Sequence, residues 1–276
     1  MTPEPLILAV ETSSRTGSVA VAAGERLLAE MTFSGPMRHS AEIFPAISGL
    51  MERFAVRPRQ IEQVHISIGP GSFTGLRIAT TLAKTMHLAN GARIVAVDTL
   101  DVIAANVFDL APDCVVQNST NRAPVTRDDR VAAILDAKRN QFFVAIYEYT
   151  SDERPPLLRG QAYPCGGRGT SDAIWEKAVP DSLMTAAQFV ERFARSDRQI
   201  CLLGDGLLYY KDRFIAEGIR LLDERYWSPR ASKVHLLGWQ KALAGQFADP
   251  VTLQPNYLRR PDVRIKKINP PCRLAD

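Results

Sequence analysis

Two segments of the sequence repeat one pattern: an apolar strand, an acidic residue at its end, a polar turn and a second apolar strand. The first segment is ILAVETSSRTGSVAVA at residues 7–22, and the second is AAILDAKRNQFFVAIY at residues 132–147. Glu11 and Asp136 occupy the acidic position in the two copies. A repeat of this length indicates a duplicated supersecondary unit, so the chain is predicted to form two related α/β domains that face each other.

The first hundred residues predict the order β-β-β-α-β-α-β-α. Leu6–Val10, Ser18–Ala23 and Arg26–Phe33 have strand patterns and short connections, which are typical of an antiparallel meander. The later elements of this half are strands at Gln63–Ile68 and Arg93–Val97 and helices at Ser40–Phe54, Leu76–Leu88 and Thr99–Phe108.

The predicted helix at residues 40–54 contains one residue that opposes helix formation. Ser40 is a good N-cap, and apolar residues follow it at helical spacing. Pro45 removes a backbone hydrogen bond beyond the first turn, so a kink or a late helix start is expected there. In the next helix, Thr74 is the predicted N-cap, and Asn90-Gly91 is a typical C-terminal cap.

The second half begins after a polar stretch. Residues 112–130 contain two prolines and suggest a linker or an inserted loop. The later predicted elements are strands at Val131–Ala137, Phe142–Tyr149 and Gln199–Leu203, a turn at Gly204–Gly206, and helices at Thr185–Ala194 and Pro229–Gly245. We therefore expect one domain at 1–110, a second at 111–228, and a C-terminal helix with an extended basic tail at 229–276.

Composition excludes several classes of protein. Hydrophobic residues make up 46% of 276 residues, which excludes disorder of the whole chain. The net charge of +4 is mild, whereas a dedicated nucleic-acid binder has a denser basic face. The N-terminus has no basic region, and its apolar run is short and ends at Glu11, so neither a signal peptide nor a membrane span is predicted. A cytoplasmic protein is expected.

Metal and disulfide frameworks are poorly supported by the sequence. The cysteines are far apart and form no C-x-x-C pair, which favours reduced thiols: Cys114, Cys165, Cys201 and Cys272. No two histidines are three or four residues apart, so no helix offers a paired ligand face: His39, His65, His87 and His235. No metal site and no catalytic residue is therefore predicted.

The loop GPGSFTG at residues 69–75 is the most distinctive motif. A glycine-rich turn between a strand and a helix is a candidate anion site, because helix N-termini present free amides. It matches neither the Walker loop nor the dinucleotide fingerprint. The alternative is structural, since small residues let a helix pack closely on its sheet. Candidate anion- or nucleotide-binding residues are Glu11, Thr12, Ser13, Gly69, Gly71 and Ser72.

The two acidic residues leave a second alternative open. In phosphotransferases of the actin and sugar-kinase type, an acid ends the first strand of each domain, as Glu11 and Asp136 do here. Asp136, however, is not followed by the glycine that lets phosphate approach the backbone. The simpler interpretation is that both acids cap hairpin turns. A stand-alone nucleotide-dependent transferase or kinase would use these acids with the glycine turns at 69–75 and 204–206.

The helix after the glycine loop carries small and adaptable residues. Ala79, Thr80, Ala83 and Met86 would allow close approach of a partner. Together with the helix at 40–54 it is predicted to build a two-helix docking surface, and the alternative is packing on the domain's own sheet. The basic tail, which starts at Tyr257 and includes Arg264, Lys266, Lys267 and Arg273, would contact phosphate if the chain bound tRNA directly.

These segments together resemble one family. LILAVETSS, RHSAEIFPAISGLM, GPGSFTGLRIATTLAKTMHLA, VAVDTL, VAAILDAKRNQFFVAIYE, LLGDG and PNYLRRPDV occur in this order and look like the successive motifs of the TsaB (YeaZ) family. The resemblance covers nearly the whole chain and is densest through residue 105. It implies two ribonuclease-H-like domains of the actin/sugar-kinase (ASKHA) type.

The resemblance also implies a function. Proteins similar to this chain are accessory subunits in the synthesis of tRNA threonylcarbamoyladenosine, in which they stabilise and activate the catalytic subunit TsaD and work with the ATPase TsaE. It implies a homodimer when the chain is alone, contact with tRNA only through the complex, and ATP or ADP only within the complex. The docking residues carried over are Ile43, Ile47, Leu50, Phe73, Leu76, Arg77, Ala79, Thr80, Ala83 and Met86.

Relatives in this group are sometimes labelled M22 peptidase-like, but TsaD and its relatives hold a metal through an H-x-x-x-H helix, which this sequence lacks. Three features depart from the family pattern. Glu11 stands where an aspartate is usual, and its longer side chain would misplace an oxygen that coordinates water. Residues 118–130 look like an insertion, and the tail beyond Arg260 is longer than in shorter relatives.

Overall fold

Two β-sheets organise the computed structural model, which describes residues 4–108, 125–126, 128–151, 162–164, 173–195 and 198–259. The first sheet contains β1 (Leu6–Glu11), β2 (Ser18–Ala23), β3 (Arg26–Thr32), β4 (Ile61–Gly69) and β5 (Arg93–Asp98), in the order β3-β2-β1-β4-β5. The first three strands pair antiparallel, and β4 and β5 continue the sheet in parallel with β1. The predicted meander is confirmed.

The second sheet repeats this arrangement. It contains β6 (Arg130–Asp136), β7 (Gln141–Ser151), β8 (Ala162–Pro164), β9 (Ala173–Thr185), β10 (Ile200–Leu203) and β11 (Ile219–Leu221), in the order β11-β10-β6-β7-β9-β8. Here β6, β7 and β9 correspond to the meander, β10 and β11 to the two parallel strands, and β8 is an added edge strand. The predicted α/β fold with two ribonuclease-H-like halves is confirmed.

In the described part of the chain, five α-helices cover the sheets. They are α1 (His39–Arg53), α2 (Phe73–Asn90), α3 (Thr99–Phe108), α4 (Ala186–Phe193) and α5 (Ala231–Leu243). Alternation along β1 separates two cores: Leu8 and Val10 belong to the apolar cluster beneath α1 and α2, whereas Ala9 belongs to the cluster that contains α3, α5 and the second sheet. The helices α3 and α5 therefore lie between the two halves.

Two helix starts differ from the prediction. The helix α1 begins at His39 with Arg38 as N-cap, so Ser40 is not the cap and Pro45 lies inside the helix rather than before it. The carbonyl that loses a partner because of Pro45 is that of Ala41, an exposed residue open to water. The helix α2 begins at Phe73, because the hydroxyl of Ser72 rather than Thr74 accepts a hydrogen bond from the Gly75 N–H.

The end of α2 agrees with the prediction. Gly91 has a φ of 75° and donates its N–H to the carbonyl of His87 at 2.8 Å. No helix in the described part of the chain is both long and apolar enough to cross a membrane. The predicted domain boundary at 110/111 lies outside the described residues, as do residues 260–276 of the basic tail and most of the predicted insertion at 118–130.

Candidate functional site

The glycine loop is closed by the turn that follows β1. The Ser72 N–H donates to the Ser13 carbonyl at 2.6 Å, and the Thr12 hydroxyl donates to the Gly75 carbonyl at 2.7 Å. The Cα atoms of Gly71 and Gly75 lie so close to the Ser13 and Thr12 carbonyls that a Cβ at either position would overlap them. This geometry supports the packing interpretation of the loop. Ser13, Gly71 and Ser72 also line a cleft between the two halves, so an anion site at these residues stays a prediction.

The outer side of the loop is covered as well. Gly69 has a φ of 117°, and a Cβ there would lie 2.6 Å from the Asn256 carbonyl oxygen. The Asn256 N–H in turn donates to the carbonyl of Ile68 at 2.7 Å. The C-terminal segment therefore passes directly over the end of β4.

Glu11 lies wholly inside the protein. One carboxylate oxygen accepts hydrogen bonds from the N–H and hydroxyl of Ser13 at 2.6 and 2.5 Å, and the other accepts from the Ser67 hydroxyl at 2.5 Å. Burial raises the pKa of Glu11 despite these hydrogen bonds. With both oxygens engaged, Glu11 holds the β1 turn and the end of β4 together and does not reach a ligand. Its predicted role at an anion or nucleotide site is corrected accordingly.

Asp136 caps the hairpin of the second half. Its carboxylate accepts the Lys138 N–H at 2.7 Å and pairs with the Lys138 ammonium at 2.7 Å. Lys138, Arg139 and Asn140 all have φ between 54° and 64°, so the turn is left-handed throughout. Asp136 thus has the turn-capping role that the sequence offered as one alternative.

A third acid, Asp205, was missed as an individual residue. It follows β10 in the turn Gly204–Gly206 and is 7% exposed, and its Oδ1 has no hydrogen-bond partner among the described residues. Burial raises the pKa of Asp205 to about 6, although the backbone N–H groups of Arg15 and Asp136 lower it. The sequence feature that could have indicated Asp205 is its position between two glycines, directly after an apolar strand.

A cleft of about 540 Å³ lies between the two halves and next to this acid. Its walls include Arg15 and Phe73 from the first half, Asp136, Asp205 and Tyr209 from the second, and Tyr257 from the C-terminal segment. Tyr257 packs against Phe73 with ring centroids 5.0 Å apart, and Arg259 donates to the Ala137 carbonyl at 2.6 Å. The C-terminal segment therefore connects the halves along one side of the cleft.

A buried ion cluster joins the halves elsewhere. The Lys177 ammonium of β9 lies 2.6 Å from Asp101 of α3 and 2.8 Å from Asp181. The Tyr147 hydroxyl donates to the same Asp101 oxygen at 2.6 Å. Burial alone would lower the pKa of Lys177, but the carboxylates of Asp101 and Asp181 outweigh burial and raise it.

The predicted docking residues divide into two groups. Most are buried between the helices and the first sheet, which favours packing over docking for these side chains: Ile43, Ile47, Leu50, Leu76, Ala79, Thr80 and Ala83. Phe73 and Met86 are partly exposed, and Arg77 is exposed. The small residues of α2 serve close packing on its own sheet, which the sequence had offered as the alternative.

A groove remains on the outer side of the same two helices. It has a volume of about 460 Å³ and lies between α1 and α2. Phe44 of α1 is 62% exposed beside it, and Arg77 and Thr81 of α2 line it. The guanidinium of Arg77 lies 3.8 Å from the centre of the Phe73 ring. The groove therefore includes three of the predicted docking residues, Ile43, Phe73 and Arg77.

Histidine and acidic side chains form no cluster of three or more that could hold a metal ion within the described ranges. His65 and His235 stack with their ring centroids 6.1 Å apart, and burial lowers the pKa of His65 to about 3. These two rings are part of the packing between α5 and the first sheet.

Comparison with known proteins gives a match to a TsaD family model and matches to proteins named TsaB. Residues 27–159 match the family model described as "TsaD: tRNA N6-adenosine threonylcarbamoyltransferase". A curated relative from Bacillus subtilis is 27% identical over 266 residues, covering 95% of this chain and 97% of the relative. One from Escherichia coli is 24% identical over 255 residues, covering 91% and 95%. Both are named tRNA threonylcarbamoyladenosine biosynthesis protein TsaB.

The chain is similar over nearly its whole length to proteins of the TsaB (YeaZ) family. Among solved structures, "YeaZ from Pseudomonas aeruginosa" superposes with a TM-score of 0.66 at 20% identity, covering 92% of this chain and all of that one. That structure therefore shares the fold of this chain over nearly its whole length. The resemblance that the sequence motifs indicated is confirmed.

Proposed function

We propose that this chain acts in tRNA threonylcarbamoyladenosine biosynthesis as a subunit without catalytic activity of its own, which binds TsaD and activates it. The α1–α2 groove carries this proposal, because it combines an exposed aromatic ring with a neighbouring guanidinium on two rigid helices. Aromatic and arginine side chains are the residue types that most often contribute strongly to protein interfaces. We propose this pathway because the relatives from Bacillus subtilis and Escherichia coli are named for tRNA threonylcarbamoyladenosine biosynthesis.

The conformation of the turn after β1 supports the proposal that this chain has no catalytic activity of its own. A phosphotransferase needs an accessible acid and an open glycine loop at this position, but Glu11 is fully hydrogen-bonded inside the protein and the loop packs on Ser13. The sequence also lacks the H-x-x-x-H pair that TsaD and its relatives use to hold a metal. We infer that any ATP or ADP binds only within the complex with TsaD and TsaE.

The occupant of the groove depends on which chains are present. In the complex we propose that TsaD covers Phe44 and Thr81, and that a second copy of this chain covers them when it is alone. Both arrangements bury the same exposed apolar surface, so they exclude each other. Contact with tRNA then comes through the assembled complex.

Substitutions in the groove test the proposal. Phe44→Asp and Thr81→Arg change exposed side chains, so we expect folding to be retained, as checked by circular dichroism. We expect both variants to lose co-purification with the TsaD homologue of the same organism and to lose stimulation of tRNA modification. Ile215→Asp is a matched control, because Ile215 is also exposed but lies in the second half. Unchanged TsaD binding by both groove variants would show that the docking surface is elsewhere.

A further inference from the structure

The C-terminal segment at residues 253–259 is anchored on the first half. Leu253 is buried in the apolar cluster beneath α1 and α2. The Asn256 N–H donates to the Ile68 carbonyl at 2.7 Å, and the Asn256 carbonyl oxygen lies against the backbone of Gly69. The end of β4 therefore fixes the course of the segment before it reaches Tyr257.

Tyr257 belongs to a group of three side chains at the rim of the α1–α2 groove. Its ring packs against Phe73 with the centroids 5.0 Å apart, and its hydroxyl accepts a hydrogen bond of 3.4 Å from the Nε–H of Arg77. The Arg77 guanidinium in turn lies 3.8 Å from the centre of the Phe73 ring, so each side chain contacts the other two. Phe73 and Arg77 line the groove, and Tyr257 contacts both of them without lining it. The C-terminal segment therefore fixes the positions of two groove residues.

Two residues later the segment reaches the second half. The Arg259 guanidinium donates from Nη1 to the Ala137 carbonyl at 2.6 Å, directly after the end of β6. An extended chain spans at most about 3.6 Å per residue, so the backbone between Tyr257 and Arg259 can cover only about 7 Å. Arg259 must therefore follow a displacement of Tyr257. Residues 256–259 thus form a strap with one end at the groove rim and the other at the turn after β6.

We propose that this C-terminal strap couples occupancy of the α1–α2 groove to the contact between the two halves. A partner in the groove covers Phe73 and Arg77 in the positions that Tyr257 fixes, so it binds this state more tightly than a state in which Tyr257 has moved away. Only such a difference in affinity lets a ligand shift a conformational equilibrium. By linkage, groove occupancy strengthens the contact of Arg259 with Ala137, and loss of that contact weakens binding in the groove.

Amide hydrogen exchange of the full chain tests the strap without any partner. The reporters are the N–H groups of Asn256 and Ala137, which are both hydrogen-bonded in the structure. We expect Arg77→Ala to accelerate exchange at both amides by about two- to tenfold, the factor that corresponds to the loss of one hydrogen bond. Thr85→Ala is the control and should leave exchange unchanged, because Thr85 is an exposed residue that lines the same groove about two turns further along α2.

The response at Ala137 decides the exchange experiment. If Arg77→Ala leaves exchange at Ala137 unchanged, the proposal is overturned even when Asn256 responds, because the strap then does not reach the second half. Acceleration at both amides supports it.

Binding measurements test the coupling from the other end. Arg259 lies outside the groove, but we expect Arg259→Gln to weaken calorimetrically measured binding of the TsaD homologue by about fivefold or more. Arg192→Gln, at an exposed arginine of α4, is the control and should bind as the wild type does. Tyr257→Leu should weaken binding by a similar factor. The double variant should bind no more weakly than the single ones, because both changes act through one strap.

This binding experiment deepens the proposed docking function and rests on it. Wild-type affinity of Arg259→Gln would overturn the coupling, and so would additive losses in the double variant, which would indicate a separate contact of Arg259 with the partner. If the wild type itself does not bind TsaD, the docking function fails, and the exchange measurement on the isolated chain still decides whether the strap links the groove to the second half.

Discussion

Gly75 lies with its Cα against the carbonyl oxygen of Thr12, and no side chain fits between them. The Thr12 hydroxyl also donates to the Gly75 carbonyl at 2.7 Å, so the first turn of α2 is tied to the end of β1. The glycine motif therefore keeps α2 packed on the end of β1.

Gly75→Ala should therefore destabilise the protein strongly. The added methyl group would overlap the Thr12 carbonyl and force α2 away from β1, so we expect a loss of about 2 kcal/mol or more in the free energy of unfolding, measured with urea.

Gly49→Ala is the matched control in α1. A methyl group there would meet only the end of the Met31 side chain at 3.9 Å, so the variant should be neutral or gain about 0.5–1 kcal/mol from higher helix propensity. Equal effects of the two substitutions would contradict the packing role of Gly75.

One face of α2 is buried and the other is exposed, so substitutions two residues apart should differ in their effect on stability. Ala83→Glu places a carboxylate in a core without a partner and should unfold the domain or cost about 3 kcal/mol or more. Thr81→Glu lies on the outer face, so it should keep the wild-type melting temperature and lose only partner binding. A folded Ala83→Glu variant with wild-type stability would show that this side of α2 is not buried in solution.

Lys177 neutralises carboxylates at the junction of the two halves. Lys177→Met would leave Asp101 and Asp181 buried without their cation, and we expect it to cost about 3–5 kcal/mol in thermal or chemical unfolding. Lys211→Met, at an exposed position, is the control and should change stability by less than about 0.5 kcal/mol. Adding Asp101→Asn to Lys177→Met should restore part of the lost unfolding free energy. Strictly additive effects of the two substitutions would contradict a direct interaction between Lys177 and Asp101.

Asp205 gives the stability a defined dependence on pH. Because its pKa is about 6 in the folded protein and 3.8 ordinarily, the folded state binds this proton more tightly than the unfolded state. The Asp205 contribution to stability is therefore most favourable below pH 3.8 and is lost as the pH rises through about 6. The difference between the two pKa values corresponds to an upper bound of about 3 kcal/mol.

Asp205→Asn isolates this contribution. The variant should be more stable than the wild type at pH 7.5 by up to about 3 kcal/mol, and the gap should close near pH 4. Urea unfolding at a series of pH values measures both curves. A variant that is less stable than the wild type at pH 7.5 would contradict a raised pKa of Asp205 in the folded protein.

Strand and helix positions were largely predictable from the sequence. The meander and the repeated hairpin follow from apolar alternation, and the end of α2 follows from Asn90-Gly91, whose left-handed conformation the structure confirms. These features depend on neighbouring residues, so a local pattern is sufficient to indicate them.

The strand β9 was not predicted, because its sequence contains charges and Pro180. In the structure Pro180 lies where the pairing with β7 shifts register between Val144 and Ile146, so the missing N–H interrupts no regular ladder. Pairing with β7, rather than the local sequence, makes this segment a strand.

The sites were less predictable than the fold. Helical spacing places Ala79 and Ala83 on one face, but it does not tell whether that face meets the sheet or a partner. The sequence likewise placed Glu11 at a strand end without showing that Ser13 and Ser67 would take both of its oxygens. Asp205 became a candidate only when the cleft between the halves was seen.

We propose that this chain supports catalysis by another subunit through the α1–α2 groove. The most direct test is the rate of threonylcarbamoyl transfer to tRNA by the TsaD homologue of the same organism, with TsaE present, measured with no added chain, with the wild type and with Phe44→Asp. We expect a rate increase of many-fold with the wild type and none with Phe44→Asp. A TsaD rate that is the same in all three reactions would contradict the account.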